Sequence, residues 1–384
     1  MIKFEFASAG RIVFGNGAVQ ELEQVVKTGS RVFLVHGSDA SNWKQVHETL
    51  QKKQCAVQEF GVSYEPTLEL IEESVKIARI FKPDWVISVG GGSAIDAGKA
   101  TAGLSSNPGQ ILDYLEVVGK GLALQKAGVP MVAIPTTAGT GSEVTRNAVI
   151  ALPEQKIKVS LRSPLLLPRL ALVDPELTLS MPPALTASTG MDALAQVLEP
   201  FVSNRANPLT DAFCQVGLKR AALSLEKAYR DGNDVVAREE MAMASLMGGL
   251  ALANAGLGAV HGFAAAIGGK FDAPHGAICA RLLPGVVKAN VEAMRRREPT
   301  NSSLTRYDTV SRLLTGNEQA TVEDGIEWLE KLLGTLKIPA LRGYGITKED
   351  IPTLVKNTAA ASSTKANPIR LSDAELTGIL EAAW

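Results

Sequence analysis

Three short apolar runs constrain this chain more than any other feature: Arg31-Val-Phe-Leu-Val-His36, Asp84-Trp-Val-Ile-Ser-Val-Gly90 and Val129-Pro-Met-Val-Ala-Ile-Pro135. They do not alternate apolar with polar residues. Near-continuous apolar runs of this length suit parallel strands buried on both faces. Between them lie stretches of helical period, such as Leu68-Glu-Leu-Ile-Glu-Glu-Ser-Val-Lys-Ile-Ala-Arg-Ile80, with apolar residues spaced three and four apart. Strands alternating with helices predict an open, mostly parallel α/β sheet over the first half of the chain.

A chain of 384 residues exceeds the usual limit of a single core, so two domains are expected. The break falls between Asp174-Pro175 and Pro182-Pro183, because two prolines can continue neither a helix nor a central strand. Beyond them the pattern is helical almost throughout. Met241 to Ala255 is a long Ala/Met/Leu/Gly segment with the look of a buried helix, and Ser372-Asp-Ala-Glu375 is a capping box opening a last one. Arg295-Arg296-Arg297 reads as a solvated helix end. The expected organisation is an α/β domain over 1–181 and an all-helical domain over 182–384.

A net charge of −1 gives no electrostatic case for nucleic acid or an anionic membrane. No apolar run reaches the about 20 residues that span a bilayer, and Met-Ile-Lys-Phe-Glu-Phe is no signal peptide. The three cysteines, Cys55, Cys214 and Cys279, form no Cys-x-x-Cys pair and fit a reducing, cytoplasmic setting. Cys279 follows His275 by one helical turn. That leaves a thiolate ligand open, although a buried inert thiol is the commoner use of such a residue.

Two loops point to phosphate. Gly90-Gly91-Gly92-Ser93-Ala-Ile-Asp96-Ala-Gly98-Lys99 follows a strand and opens a helix. Glycines admit a close pyrophosphate, and a helix N-terminus supplies free N–H groups and a positive dipole. The string is neither the Rossmann fingerprint nor the P-loop, and a tight strand-to-helix turn is the plainer alternative. Pro135-Thr136-Thr137-Ala138-Gly139-Thr140-Gly141-Ser142-Glu143 also follows a strand, and its hydroxyls can bond phosphate or ribose oxygens. Together the loops favour a dinucleotide.

Two of the four histidines, His261 and His275, are each followed by glycine within one Gly/Ala-rich stretch. Zn²⁺ and Fe²⁺ both accept imidazole nitrogen, and small neighbours leave room for an ion.

Taken with these histidines, the loops resemble the iron-containing (group III) alcohol dehydrogenases, which share a fold with glycerol dehydrogenase and dehydroquinate synthase. The match runs over nearly the whole chain. It includes Phe14-Gly15-Asn16-Gly17-Ala18, Gly90-Gly91-Gly92-Ser93 with Asp96 and Lys99, Pro135 to Glu143, Ser163-Pro164 and Val173-Asp174-Pro175. Further on it includes Gly190-Met191-Asp192-Ala193-Leu194, His261-Gly262, Pro274-His275-Gly276 and Asn367-Pro368.

The resemblance implies a metal held by Asp192, His261 and His275, which are also the catalytic set. The family's second ligand, a histidine one turn after the aspartate, falls on Gln196, a neutral and weaker donor. A further family histidine, used for proton transfer, falls on Ala265. The implied reaction interconverts a small alcohol and its aldehyde or ketone by hydride transfer with NAD(P), using Fe²⁺ or Zn²⁺.

For the cofactor, Gly91, Gly92 and Ser93 are expected at the pyrophosphate. Thr136, Thr137 and Ser142 are expected at phosphate or ribose, Asp96 at the nicotinamide or its ribose, and Lys158 nearby. NAD-preferring relatives often carry Asp where Gly37 stands. Gly37, with Ser38 or Ser41 to bond a 2′-phosphate, therefore favours NADP over NAD, while Asp39 counts against it if it turns inward. Lys270 is either a solvated lysine or a contact for an acidic substrate. A homodimer is implied by the family. Two alternatives stay open: a lyase or cyclase like dehydroquinate synthase using NAD transiently, and a nucleotide-binding homologue without alcohol chemistry.

Overall fold

The protein is described by a computed structural model covering residues 3–384. The chain forms two compact units. One holds Ala7–Thr137 and Gly141–Ser180; the other holds Met181–Trp384 together with Ala138–Thr140 and the described chain up to Phe6.

The first unit contains β1 (Ile12–Phe14), α1 (Leu22–Val25), β2 (Arg31–His36), α2 (Ala40–Lys52), β3 (Ala56–Gly61), α3 (Leu68–Phe81), β4 (Trp85–Gly90) and α4 (Gly92–Ser105). It continues with β5 (Met131–Pro135), β6 (Asn147–Leu152), β7 (Ile157–Arg162) and β8 (Leu170–Val173). Among the described residues, six strands form one parallel sheet in the order β1-β8-β5-β4-β2-β3, and β6 pairs antiparallel with β7. Successive residues of the central strands enter two different cores. Phe33, Val35, Val86 and Ala133 pack on one side, and Val32, Leu34, Ile87 and Val132 on the other. This two-sided burial is why the runs carry no polar alternation.

The strand order reverses at β2 and β4, and their carboxyl ends meet there. Ligands of open α/β sheets bind at such a point. Gly37 N–H donates to Val89 O at 3.0 Å, and Thr136 N–H donates to Gly90 O at 3.0 Å. Gly90 has φ +155°, and a Cβ on it would stand 2.7 Å from Ala94 Cβ and 3.1 Å from Gly37 N. Glycine is therefore required at 90. Gly37 is different: its Cβ would meet Gly90 Cα at an ordinary 3.8 Å.

The second unit is helical: α5 (Pro183–Val202), α6 (Pro208–Arg230), α7 (Val235–Ala255), α8 (Ala259–Gly268), α9 (His275–Arg297), α10 (Ser303–Thr315), α11 (Val322–Thr335), α12 (Ile351–Ala360) and α13 (Asp373–Ala383). Pro183 begins α5, a position where proline sacrifices no helical hydrogen bond. Gly256 at φ +72° stops α7, and α8 leaves at 97° to it. Among the described residues, no single helix is long and apolar enough to cross a membrane. The α13 capping box is present at Ser372 and Glu375. The arginine run is more than a solvated end. Arg295 pairs with Glu323 at 2.7 Å, and Arg297 with Glu375 at 2.8 Å, tying α9 to the starts of α11 and α13.

The glycine after each late histidine has a packing cause. A Cβ on Gly276 would lie 2.0 Å from the Ser188 carbonyl oxygen and 3.2 Å from Asp192 Cβ, so α9 crosses α5 at backbone contact. A Cβ on Gly262 would meet Thr364 Oγ1 at 2.1 Å, a side chain that can rotate away. Gly276→Ala is therefore expected to cost about 1–3 kcal/mol, and Gly262→Ala distinctly less. Equilibrium denaturant unfolding of the two variants checks the ranking.

Candidate metal centre and dinucleotide loops

Asp192 lies midway along α5, and helical period puts Gln196 and Glu199 on its face. All three are buried, with at most 4% exposure. Carboxylates in an apolar helix need partners. His261, near the start of α8, serves both of them. Its Nδ1 is 2.6 Å from Glu199 Oε2 and its Nε2 is 3.2 Å from Asp192 Oδ1. The other Glu199 oxygen accepts the Val260 N–H at 2.7 Å. Gly258 makes room for it, since a Cβ there would be 2.7 Å from Glu199 Oε1.

His275, the first residue of α9, brings Nε2 to 3.8 Å from the same Asp192 oxygen. One turn on, Cys279 Sγ is 3.7 Å from His275 Nε2. Donor atoms of Asp192, His261, His275 and Cys279 all lie within 4.8 Å of one another. The His261 and Asp192 side chains are 6% and 4% exposed, whereas that of His275 is 36% exposed. The cluster is thus reached from the His275 side.

The electrostatics are strongly coupled. Burial alone would raise the Asp192 carboxyl, but His275 and His261 more than offset it and hold it below its usual range. Burial also opposes charge on His261, yet Cys279, Asp192 and Glu199 together hold its pKa well above the ordinary imidazole value. The Cys279 thiol, which burial would push up, is drawn below its usual value by the two imidazoles. A divalent cation satisfies the same demand for positive charge, and the donor types suit one.

Gln196 donates from Nε2 to Gly139 O at 2.7 Å, which leaves its amide oxygen as the available donor atom. Gly139 lies against Thr189, where a Cβ would be 2.9 Å from the threonine Cβ. Ala265 is exposed on α8 and carries no proton-transfer group. Lys270 is ion-paired with Asp350, so its charge is already answered, contrary to a free contact for an acidic substrate. Arg281 Nε donates to Ala383 O at 3.2 Å. The basic cluster that a cyclase acting on a phosphorylated acid would need is not formed by these two side chains.

Glu199 belongs to no motif in the sequence, and Cys279 reads there as a possible thiolate ligand, with a buried inert thiol the commoner use. The signal for Glu199 was its helical spacing from Asp192 and Gln196 within an apolar helix. The signal for Cys279 was its place one turn after His275.

In the α/β unit, Gly37, Gly91 and Thr136–Thr137 gather at the carboxyl ends of β2, β4 and β5. Gly91 caps α4, and a Cβ on it would touch the Thr137 side chain at 3.4 Å. Gly92 and Ser93 follow in the first turn of α4 and are partly exposed. Asp96 and Ser142 sit deeper. The Ser142 hydroxyl donates to Asp96 Oδ1, and Asp96 Oδ2 accepts the Val149 N–H at 2.9 Å. Lys99, fully buried, donates to Ser142 Oγ at 2.6 Å and Thr145 Oγ1 at 2.9 Å, and pairs with Asp96 at 3.0 Å.

Lys158 lies on β7, ion-paired with Glu65. Ser38 follows Gly37, before the N-cap of α2. Asp39 is that N-cap; it accepts Ser41 N–H at 3.0 Å, Ser41 Oγ–H at 2.7 Å and the Asn42 amide at 3.2 Å. The two bonds from Ser41, that from its hydroxyl the stronger, hold the Asp39 carboxyl below its usual pKa.

Glu143, 2% exposed, is pushed by burial up to about 7 from an ordinary 4.5, against the pull of Lys99. A carboxyl raised on folding contributes stability that is complete below its unfolded pKa and lost as pH rises through the folded one. The window is therefore pH 4.5 to about 7. At about 1.4 kcal/mol per unit, the loss is at most on the order of 3 kcal/mol. Glu143→Gln is expected to flatten this decline, measured as unfolding free energy at a series of pH values.

Residues 9–175 match the family profile described as iron-containing alcohol dehydrogenase, and residues 186–384 match the C-terminal domain of that family. Long-chain-alcohol dehydrogenase 1 of Geobacillus thermodenitrificans (strain NG80-2) is 36% identical, over 98% of this chain and 97% of its own length. The NAD-dependent methanol dehydrogenase of Bacillus methanolicus is 35% identical, over 93% of each chain. The crystal structure of a 1,3-propanediol oxidoreductase superposes with a TM-score of 0.91 at 30% identity, over 100% of both chains. With both halves matched and the relatives aligned nearly end to end, this chain belongs to the iron-containing alcohol dehydrogenase family.

Proposed function

We propose that this enzyme interconverts a small alcohol and its aldehyde or ketone, with NAD(P) as hydride partner and a divalent ion held by Asp192, His261 and His275. The observation that carries the reading is the convergence of two imidazole nitrogens on one buried carboxylate oxygen, at 3.2 and 3.8 Å. A bound ion supplies Lewis acidity that lowers the alcohol pKa or polarises the carbonyl. The nicotinamide supplies the site that accepts or returns hydride.

The chain's own residues provide the setting. Glu199 fixes the orientation of His261 by taking its Nδ1, so that Nε2 faces Asp192. Gln196 offers its amide oxygen as a neutral further donor. His275, the most exposed of the set, borders the path by which substrate arrives. Gly91, Gly92 and Ser93 present backbone N–H groups to the pyrophosphate, and Thr136 and Thr137 offer hydroxyls beside them. Asp96, Ser142 and Lys99 engage one another, and their part is to hold the loop in shape. Lys158, on β7 and paired with Glu65, is the further residue proposed near the cofactor.

Gly37 has room for a side chain and carries none, which supports entry of a 2′-phosphate and so NADP(H). Asp39 and the occupied Ser41 hydroxyl work against it, and Ser38 is the remaining hydroxyl to bond the phosphate. The homodimer and the cytoplasmic setting belong to the same proposal, the first resting on the family likeness and the second on the three scattered cysteines.

Purified protein is expected to change NAD(P)H absorbance in proportion to added primary alcohol or aldehyde. Chelation or Asp192→Ala is expected to lower kcat/KM by more than the about 10–100-fold that loss of an outer-shell partner causes. Readdition of Fe²⁺ or Zn²⁺ should restore the chelated wild type only. Activity indifferent to chelation would sink the metal mechanism, and a reaction without net cofactor change would point to cyclase chemistry.

Position 265 lies one helical turn after His261. Ala265→His is expected to add a titration near the ordinary imidazole pKa of about 6.5 to the kcat profile. Turnover should rise by no more than the about 10²–10⁴-fold typical of a positioned acid–base group, with metal content unchanged. A superimposable pH–rate profile would place residue 265 off the proton path.

A further inference from the structure

We infer that Cys279 is itself a metal ligand, its thiolate completing an Asp192–His261–His275–Cys279 set that selects Zn²⁺. The inference rests on the reading that Asp192, His261 and His275 hold an ion, and it adds a donor that the family resemblance does not supply.

The spacing of the donors is the first argument. Around a tetrahedral ion with arms of about 2.0–2.3 Å, neighbouring donors stand roughly 3.3–3.7 Å apart. Here Asp192 to His261 is 3.2 Å, His275 to Cys279 is 3.7 Å and Asp192 to His275 is 3.8 Å. All four donors fall within 4.8 Å of one another. Cys279 shares the face of α9 with His275, so one rigid helix fixes both.

The surroundings of the thiol are the second argument. An inert buried cysteine packs among apolar atoms. Cys279 is fully buried, yet it faces a carboxylate and two imidazoles. The other thiols are placed differently. Cys214 and Cys279 both belong to the helical core, but only the Cys279 sulfur is grouped with Asp192, His261 and His275, and Cys55 approaches backbone carbonyls at 3.8 and 3.9 Å.

Charge is the third argument. The two charges of a divalent ion are matched by Asp192 and a Cys279 thiolate in direct contact with it, while the Glu199 carboxylate is taken up by His261 Nδ1 and the Val260 N–H. The Gln196 nitrogen is meanwhile bonded to Gly139 O. A thiolate is also a soft donor that Zn²⁺ accepts more readily than harder ions do. Zinc accommodates a fifth donor, so four protein ligands leave substrate access open.

The test loads chelator-stripped full-length protein with Co²⁺ or Zn²⁺ and measures bound metal by elemental analysis. The expected result for the cobalt form is a near-ultraviolet thiolate-to-metal charge-transfer band. The band should survive in Cys55→Ser and Cys214→Ser and disappear in Cys279→Ser. Zn²⁺ affinity should fall at least about 10-fold in Cys279→Ser, the least that even an outer-shell loss produces. X-ray absorption on the zinc-loaded wild type decides the matter even if Cys279→Ser does not fold: a sulfur scatterer at about 2.3 Å is expected. Stoichiometric metal with no sulfur scatterer and no charge-transfer band overturns this inference and leaves the Asp192–His261–His275 reading standing. Absence of bound metal overturns both.

Discussion

A carboxylate buried in an apolar helix sets the terms for the helical unit. Asp192 is 3% exposed and sits on α5 among leucine, valine and alanine. An ion in that position costs several kcal/mol unless opposite charge meets it. Glu199 doubles the demand on the same helix face. The neighbouring helices are arranged to answer it. The first turn of α8 offers His261 to both acids and a backbone N–H to Glu199. The first turn of α9 offers His275, and α9 approaches closely enough because Gly276 has no side chain to strike the Ser188 carbonyl. The glycines at 258 and 276 are thus part of the electrostatics: each removes a Cβ that would hold a counter-charge away.

Much of the α/β unit was legible because its strands are buried on both faces. The run at 31–36 is β2 to the residue, and 84–90 and 129–135 contain β4 and β5. The trimmed ends have local causes. Asp84 turns its carboxylate to the Arg31 N–H at 2.8 Å, and Pro130 gives its carbonyl to Val86 N–H at 3.0 Å before β5 begins. The strands that escaped notice lack the signal. Edge strand β3 is Ala-Val-Gln-Glu-Phe-Gly, with no fully buried residue and two adjacent polar ones at its centre. The β6–β7 hairpin turns through Pro153 to Lys156, with Lys156 at φ +53° instead of the Asn-Gly or Asp-Gly that marks a hairpin. The grouping of Ala138–Thr140 with the helical residues is a tertiary fact that no local pattern encodes.

The candidate site was legible in its residue types and less so in its connections. His261 and His275 could be paired from their glycines and small neighbours, and Asp192 and Gln196 came only through the family likeness. Spacing along α5 could have drawn in Glu199, but nothing in the sequence says that α8 begins beside it. At the dinucleotide loops the expected residues lie at two depths: Gly92 and Ser93 are partly exposed, while Asp96 and Ser142 are buried and bonded to a lysine. A lysine fully enclosed at position 99 must collect acceptors, and it takes the Ser142 and Thr145 hydroxyls and the Asp96 carboxylate. Composition cannot tell a polar atom that faces a ligand from one that satisfies a buried cation.

The departures from the family pattern also become coherent when charge is counted. Replacing a ligand histidine by Gln196 removes a strong donor but no charge, since a ligating imidazole is neutral. Were Cys279 a ligand as inferred above, its thiolate would add a donor and a negative charge from α9, so donor number would be restored while the field at the ion became more negative. Such a change would lower the Lewis acidity available both to deprotonate an alcohol and to polarise a carbonyl. The same chain lacks an imidazole at 265 to receive that proton. The crossing of α9 over α5 depends on Gly276 and the orientation of His261 on Glu199, and neither position is one of the departures at 196 and 265.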